Sequence, residues 1–329
     1  MIQHLSILMR PEAMHIPDGF LSTAVSIVGW VLAVIVIGYA LRQTREHLGE
    51  RQIPVLGVLA AFIFAAQAIN FPVAGGTSGH LLGGALAAIV LGPWSAVLVM
   101  TAVIGLQGLL FQDGGLLVMG WNIVNMGVIT ILVGSFVYRF LDGRLGRNRN
   151  SLIIGGAVGA WLSVLIAATA TSVELAVSGI IPLNIALPAM IGVHVLIGIG
   201  EAIITVGALL LIYNTRPDLL KMGESAPGQS SARWVGAGLT LAVIIAAFSF
   251  AASGSPDGLE RVAADNAFLE QALGPVYRIF PDYTLPFIGN QTLSGILAVV
   301  LGTLIVFGVL YLIGRLLRRK PVTSKRQTG

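Results

Sequence analysis

Long apolar segments, separated by short polar ones, run through most of the chain. A helix that spans a bilayer needs about 20 apolar residues, although a shorter one is tolerated inside a bundle. The pattern therefore predicts an all-α fold, a polytopic membrane helix bundle. The nine predicted spans lie near residues 20–41, 53–69, 81–91, 93–111, 117–138, 152–178, 184–213, 234–252 and 292–314.

The composition agrees with this fold class and limits the chemistry. Hydrophobic residues make up 56% of the 329 residues and charged ones 10%, so the chain cannot cover itself with a water-compatible surface. The absence of cysteine excludes disulfides, thiolate metal sites and cysteine nucleophiles. Any metal must therefore be bound through nitrogen and oxygen atoms.

The distribution of basic residues predicts the orientation. If all nine spans cross and the N-terminus is outside, the segments on the inner side hold 16 of the 19 Lys and Arg residues. Cytoplasmic loops are enriched in these residues, so the chain is predicted to have its N-terminus outside and its C-terminus in the cytoplasm. Gly92-Pro93 then forms a tight cytoplasmic turn. The basic pI reflects this topology and not a nucleic-acid partner.

Changes in composition divide the chain. Residues 1–13 are interpreted as an upstream mis-assigned start or a leader, and residues 14–213 hold the first seven spans. Residues 214–233 are polar and contain Pro, Gly and Ser, as linkers do. Residues 234–329 form a module of two spans that enclose a long outside loop. Asp113 and Asp257 are not interpreted as an acid/base pair, because they lie in different modules.

The stretch Met14-His15-Ile16-Pro17-Asp18-Gly19 precedes the first span. If the mature chain begins at Met14, its amine, the backbone nitrogen of His15 and the His15 imidazole offer three nitrogens joined by two chelate rings. Such a set suits Cu(II) or Ni(II), and imidazole also binds Co(II) well. The alternative interpretation is a disordered tail that carries an accidental histidine.

A glycine-rich segment, residues 75–84, enters the membrane on the same predicted side as His15. Glycines allow the backbone to approach an ion closely, and His80 within this segment is a candidate fourth nitrogen ligand. Thr77 and Ser78 are candidates for orienting the His80 ring. The alternative is a flexible loop followed by a helix-packing surface of small residues.

Polar residues within the spans form a further set of candidates. His194 and Glu201 are two helical turns apart and share one helix face, so they are interpreted as a metal pathway, a partner contact or a hydrogen-bonded structural pair. Asn122 and Asn125 are interpreted as pathway residues or as helix-to-helix hydrogen-bond donors. No nucleotide-binding GxxxxGK[ST] motif is present, so any ATP must be hydrolysed elsewhere.

Several of these motifs together resemble those of a known family, the CbiM/NikM substrate-binding (S) components of energy-coupling factor cobalt and nickel transporters. The second module is similar to the small CbiN/NikN component, whose PDGLE sequence it carries, and the order resembles NikMN-type fusions. The matching segments are Met14-His15-Ile16-Pro17-Asp18-Gly19, 76–84, Leu91-Gly92-Pro93-Trp94, 121–127, His194, 200–202 and Pro256-Asp257-Gly258-Leu259-Glu260.

The resemblance implies a seven-helix S component with a fused two-helix accessory module. It also implies a metal held by the amine of Met14, the amide and imidazole nitrogens of His15, and His80. Family members begin at the methionine that corresponds to Met14, whereas thirteen residues precede it here. Because these residues would convert the amine into an amide, Met14 is predicted to be the true N-terminus.

The resulting functional hypothesis is import of Co²⁺ or Ni²⁺ as a transporter subunit, with no resident cofactor. The resemblance implies two kinds of partner: a transmembrane (T) component of the CbiQ/NikQ type and cytoplasmic ATPases of the CbiO/NikO type. Two alternatives are a stand-alone secondary metal transporter and an intramembrane enzyme that uses His194 and Glu201. The sequence does not discriminate between cobalt and nickel.

Overall fold

The computed structural model describes residues 15–222 and 231–318. Its ten helices are numbered in chain order, and a short hairpin of two strands lies between α2 and α3. They are α1 Thr23–His47, α2 Ile53–Gln67, β1 Phe71–Val73, β2 Thr77–Gly79, α3 Gly84–Leu91, α4 Pro93–Phe111, α5 Met119–Leu145, α6 Arg149–Val177, α7 Leu183–Thr215, α8 Ser231–Ala247, α9 Gly258–Asp265 and α10 Gln291–Leu317. Single 3₁₀ turns lie at Glu50–Gln52, Pro217–Leu220, Phe248–Ala251, Leu269–Gln271 and Pro281–Tyr283.

This architecture confirms the predicted class, a multi-pass helical membrane protein. Among the described residues, 7 helices are long and apolar enough to cross a membrane: α1, α4, α5, α6, α7, α8 with its 3₁₀ extension, and α10. The predicted span at 81–91 is only partly helical. Its helix, α3, has only 8 residues, which is roughly 12 Å and less than half the thickness of the hydrocarbon core.

Small residues set the distances between the helices of the first unit, which is the described part of the chain up to residue 222. A Cβ added at Gly134 on α5 would lie 2.5 Å from the Cβ of Ala85 on α3. One added at Gly159 on α6 would lie 2.9 Å from the carbonyl oxygen of Gly134. Because neither glycine has a side chain, three helices approach one another closely, as is usual where packing rather than hydrophobic burial drives association.

The glycine-rich segment forms a β-hairpin, which the sequence pattern did not predict. Strands β1 and β2 are antiparallel, with Val73 opposite Thr77. The turn uses Gly75 and Gly76 at positive φ, a conformation that costs glycine little. The hairpin places His80 directly after β2, at the point where the chain turns into the bundle toward α3.

The second unit comprises residues 231–318. It packs along the first unit through the contact of α10 with α2. A Cβ at Gly302 would lie 2.4 Å from Cζ of Phe64, and one at Gly57 would lie 2.9 Å from Cδ2 of Phe307. The segment between α8 and α10 also contacts the first unit, since Tyr283 stacks on Phe111 with ring centres 4.7 Å apart. The two units therefore share one end of the bundle, where the candidate site lies.

Candidate metal centre

The chain that leads into α1 is fixed by hydrogen bonds to its backbone. Asn122 on α5 accepts from the Ile16 nitrogen at 3.0 Å and donates to the Ile16 oxygen at 3.1 Å. The Gly115 nitrogen donates to the same oxygen at 2.9 Å. Asn122, predicted to line a pathway, thus holds the backbone next to His15, and both side chains are buried.

Asp18 anchors the same stretch to the beginning of α5. Its carboxylate accepts hydrogen bonds from the backbone nitrogens of Leu116, Leu117 and Val118 at 3.1, 2.9 and 3.3 Å. These nitrogens precede the first turn of a helix, where no intrahelical acceptor exists and a carboxylate is favourable. A Cβ at Gly115 would lie 2.1 Å from the Asp18 carboxylate, so glycine is required there.

The His15 ring is buried and held on one side. Its Nδ1 lies 2.7 Å from Oδ1 of Asp113, whose Oδ2 accepts from the Tyr283 hydroxyl at 2.6 Å. Burial alone would raise the pKa of Asp113, but the charge of His15 and the hydrogen bonds from His15 and Tyr283 hold that pKa below its usual value. Nε2 of His15 is buried and has no hydrogen-bond partner among the described residues, which is unusual for a buried polar atom.

His80 lies beside His15. The two ring centres are 6.0 Å apart, and Nδ1 of His80 is 2.9 Å from the Leu81 carbonyl oxygen. Since a metal–imidazole bond is about 2.0–2.1 Å, rings that share one ion can have centres up to roughly 6.5 Å apart. The spacing therefore permits both histidines to bind the same ion.

The predicted chelate makes a further demand on His15. A ring closed through the backbone nitrogen and the imidazole of one histidine uses Nδ1, the atom that Asp113 holds in this structure. Binding of that kind requires the imidazole to exchange Asp113 for the metal. Met14, the other predicted ligand, lies outside the described residues. Among the residues that are described, no group of three or more His, Asp and Glu side chains is arranged to hold a metal.

A small cavity of about 80 Å³ collects most of the predicted side chains. It lies between α5, α6 and α7 and is closed by the beginning of α9. In addition to His15, four of the predicted residues line this cavity with nitrogen-containing side chains. Asp257 of the second unit adds a carboxylate. The polar lining residues are His15, His80, Asn122, Asn125, Thr171, His194 and Asp257.

Asn125 belongs to a polar cluster within the helices. It lies in a π-helical stretch of α5, Ile123–Ile129, and its Nδ2 donates to Glu174 Oε2 at 2.9 Å and to Thr171 at 3.2 Å. Because Thr171 and Glu174 belong to α6, Asn125 links α5 to α6 by hydrogen bonds. This is one of the two roles considered for it from the sequence. π-Helical turns are frequent at functional sites.

Thr77 and Ser78 contact the second unit. The Thr77 hydroxyl donates to the Pro256 oxygen at 2.9 Å, and the Ser78 hydroxyl donates to the Ser255 oxygen at 2.7 Å. The Ser78 nitrogen also donates to the Pro256 oxygen at 2.8 Å. These two residues thus attach the hairpin to the accessory module, a contact that spacing along the sequence did not reveal.

His194 and Glu201 have separate partners. Nδ1 of His194 lies 2.7 Å from the Met190 oxygen. The Glu201 carboxylate accepts from the nitrogens of Leu82 and Gly83 at 2.5 and 2.9 Å. Glu201 therefore fixes the chain between His80 and α3, while His194 lines the cavity.

The sequence pattern did not indicate the part played by the PDGLE segment. Asp257 caps α9 by accepting from the Glu260 nitrogen at 2.7 Å. Burial, opposed by that hydrogen bond and assisted by the charge of Asp113, raises the pKa of Asp257 to about 6. Although Asp113 and Asp257 belong to different modules, the fold brings them close enough for the charge of Asp113 to act on Asp257.

A second cavity, of about 260 Å³, connects this region to the loop of the second unit. His15 and Asp18 line it from the first unit, and Glu260 and Tyr277 from the second. Burial and the charge of Asp257 raise the pKa of Glu260 to about 7. His15 thus borders both cavities.

The fold and the cavity define the class of protein: a polytopic helical membrane protein with a buried histidine cluster at one end of its bundle. Residues 15–219 match the family model of the CbiM cobalt uptake substrate-specific transmembrane region, and residues 232–319 match that of the PDGLE domain. The chain belongs to the CbiM family and carries a fused PDGLE domain. The resemblance seen in the sequence is thereby confirmed.

Relatives of the fused type match along almost the whole chain. A NikMN protein of Archaeoglobus fulgidus is 35% identical over 93% of this chain and 99% of its own length. The fused nickel transport protein NikMN of Rhodobacter capsulatus is 30% identical over 90% and 96%. The crystal structure of a truncated transition metal transporter has a TM-score of 0.54 and 33% identity, covering 61% of this chain and 97% of that chain. These relatives are transport proteins and not enzymes.

Proposed function

We propose that this chain is the substrate-specific membrane subunit of an energy-coupling factor transporter that imports Ni²⁺ or Co²⁺. The observation that carries the proposal is the pair of buried imidazoles, His15 and His80, with ring centres 6.0 Å apart in a chain of the CbiM family. Full-length similarity to fused nickel transport proteins supports nickel as the cargo, and a cobalt transport protein CbiM of Geobacter sulfurreducens, 31% identical over 64% of this chain, supports cobalt.

The metal ligands in this proposal are the Met14 amine, the amide and Nδ1 of His15, and His80. Nitrogen donors of this kind suit Ni(II) and Co(II). The ion arrives through the cavity of about 260 Å³ that His15 and Glu260 line, on the extracytoplasmic side where the N-terminus lies. The C-terminus is in the cytoplasm, and the protein resides in the inner membrane.

A free amine at Met14 is the most direct test of the site. A chain that begins at Met14 is compared with one that retains residues 1–13, and Ni(II) and Co(II) affinities are measured by competition with a chelating dye. Loss of one nitrogen ligand should cost at least what loss of a supporting contact costs, roughly 10–100-fold. Equal affinities would show that the Met14 amine is not a ligand. If the chain that begins at Met14 bound neither Ni(II) nor Co(II), the proposed function would be refuted.

The energy source is tested by transport. The chain lacks a nucleotide-binding motif, so we propose that a T component of the CbiQ/NikQ type and CbiO/NikO-type ATPases drive the cycle. Uptake of radioactive nickel or cobalt into cells should need all these subunits and should stop when the ATPases cannot hydrolyse ATP. Uptake by this chain alone would instead identify a secondary transporter.

A further inference from the structure

A line of three hydrogen-bonded side chains connects the second unit to His15. The Tyr283 hydroxyl donates to Asp113 Oδ2 at 2.6 Å, and Asp113 Oδ1 lies 2.7 Å from His15 Nδ1. The side chains of His15 and Asp113 are 0% and 2% exposed. Tyr283 is fixed in turn by stacking on Phe111, at 4.7 Å and 19°.

Asp113 must accommodate a change when a metal is loaded. If His15 turns Nδ1 to an ion, the buried carboxylate loses the hydrogen bond that it shares with that atom. A buried charged group that loses a partner is costly, whereas one that retains a donor is much less so. The Tyr283 hydroxyl is such a donor, and it does not depend on the orientation of His15 because it approaches the other carboxylate oxygen.

We propose that Tyr283 is a positioning residue for the metal site and that it acts through Asp113. It keeps the carboxylate hydrogen-bonded while His15 exchanges Asp113 for the ion, so the accessory module lowers the free energy cost of metal loading. This inference rests on the proposed function, in that it requires His15 to be a ligand. It assigns to the second unit a side chain with a defined effect on metal affinity.

The test is Tyr283→Phe in the full-length chain that begins at Met14. Phenylalanine retains the ring that stacks on Phe111 and removes only the hydroxyl. Tyr311→Phe is the matched control, because Tyr311 also stacks on a phenylalanine, Phe307, with ring centres 6.1 Å apart, and lies near the end of α10, away from the contact between Tyr283 and Asp113. Ni(II) affinity, the ligand-field absorption of the saturated complex and the melting temperature of the metal-free chain are measured for each.

Tyr283→Phe should bind Ni(II) roughly 10–100-fold more weakly, the range typical of contacts that support a metal ligand. The absorption at saturation should match that of Tyr311→Phe, since the ligands are unchanged. The melting temperature of the metal-free chain should fall, because the buried Asp113 carboxylate loses a hydrogen bond.

Unchanged or increased affinity in Tyr283→Phe would overturn the inference, and so would an altered absorption at saturation, which would mean that the ligand set itself depends on Tyr283. Failure of the unmodified chain to bind Ni(II) or Co(II) would instead refute the proposed function. The two failures are therefore distinguished by the behaviour of the unmodified chain.

Discussion

At the scale of single residues, the site depends on how each ring nitrogen is occupied. The two histidines differ, because Nδ1 of His15 faces a carboxylate and Nδ1 of His80 faces the Leu81 carbonyl oxygen. Within the part of the chain that the structure describes, the buried Nε2 atom of His15 has no hydrogen-bond partner. The sequence identified both histidines as candidates, but it did not identify Asp113 as a partner of His15, since nothing in the neighbours of Asp113 along the chain indicates that contact.

Replacing His80 tests its role as a ligand. His80→Ala should weaken Ni(II) or Co(II) binding at least roughly 100-fold, because a lost ligand costs no less than a lost supporting contact. His47→Ala is the control, since Nδ1 of His47 contacts only the Gln43 oxygen in an exposed part of α1. Isothermal titration in detergent measures both. Similar affinities for the two variants would exclude His80 from the site.

At the scale of elements, short structures position the site between long helices. His80 directly follows the hairpin of β1 and β2, and Asp257 directly precedes α9. The long spans were predictable, because a continuous apolar segment has few alternatives to a helix in lipid. The hairpin and α9 were not, since segments of three to eight residues are stabilised by tertiary hydrogen bonds such as those from Thr77 and Ser78.

The close contact between α9 and α7 gives a prediction at this scale. A Cβ at Gly258 would lie 2.8 Å from Cε1 of His194 and from Cδ1 of Ile197. Gly258→Ala should therefore destabilise the fold by about 1–3 kcal/mol, as overpacking does, and weaken metal binding by moving α9.

Gly254→Ala is the matched control for this change, because no atom lies within 4 Å of its added Cβ. Thermal unfolding in detergent and metal titration measure the two effects. If Gly258→Ala had the same melting temperature and the same metal affinity as Gly254→Ala, the proposed dependence of the site on α9 would be wrong.

At the scale of the whole molecule, the two units meet along α2 and α10 and at the loop that holds Tyr283. Gly302 is central, because an added Cβ would lie 2.4 Å from Cζ of Phe64 and 2.8 Å from Cζ of Phe111. Phe111 is also the residue on which Tyr283 stacks. Packing between the units and the environment of His15 are therefore linked.

Gly302→Val should separate the units, lower the free energy of unfolding by about 1–3 kcal/mol and weaken metal binding. Gly308→Val is the control on the same helix, because it adds the same side chain where no atom lies within 4 Å. Both variants change helix propensity equally, so a difference between them reports packing. Thermal unfolding and Ni(II) competition report the difference. Identical behaviour of the two variants would show that close packing at Gly302 does not support the site.

The sequence by itself determined the fold class, the family resemblance, most of the long helices and the two candidate histidines, because hydrophobic length and local motifs are properties of adjacent residues. Tertiary structure decided the rest. The contacts of His15 with Asp113, of Asp113 with Tyr283 and of Ser78 with Ser255 join residues 98, 170 and 177 positions apart. Such pairings arise only when distant parts of the chain pack together, and no local pattern encodes which distant side chain will face a given atom.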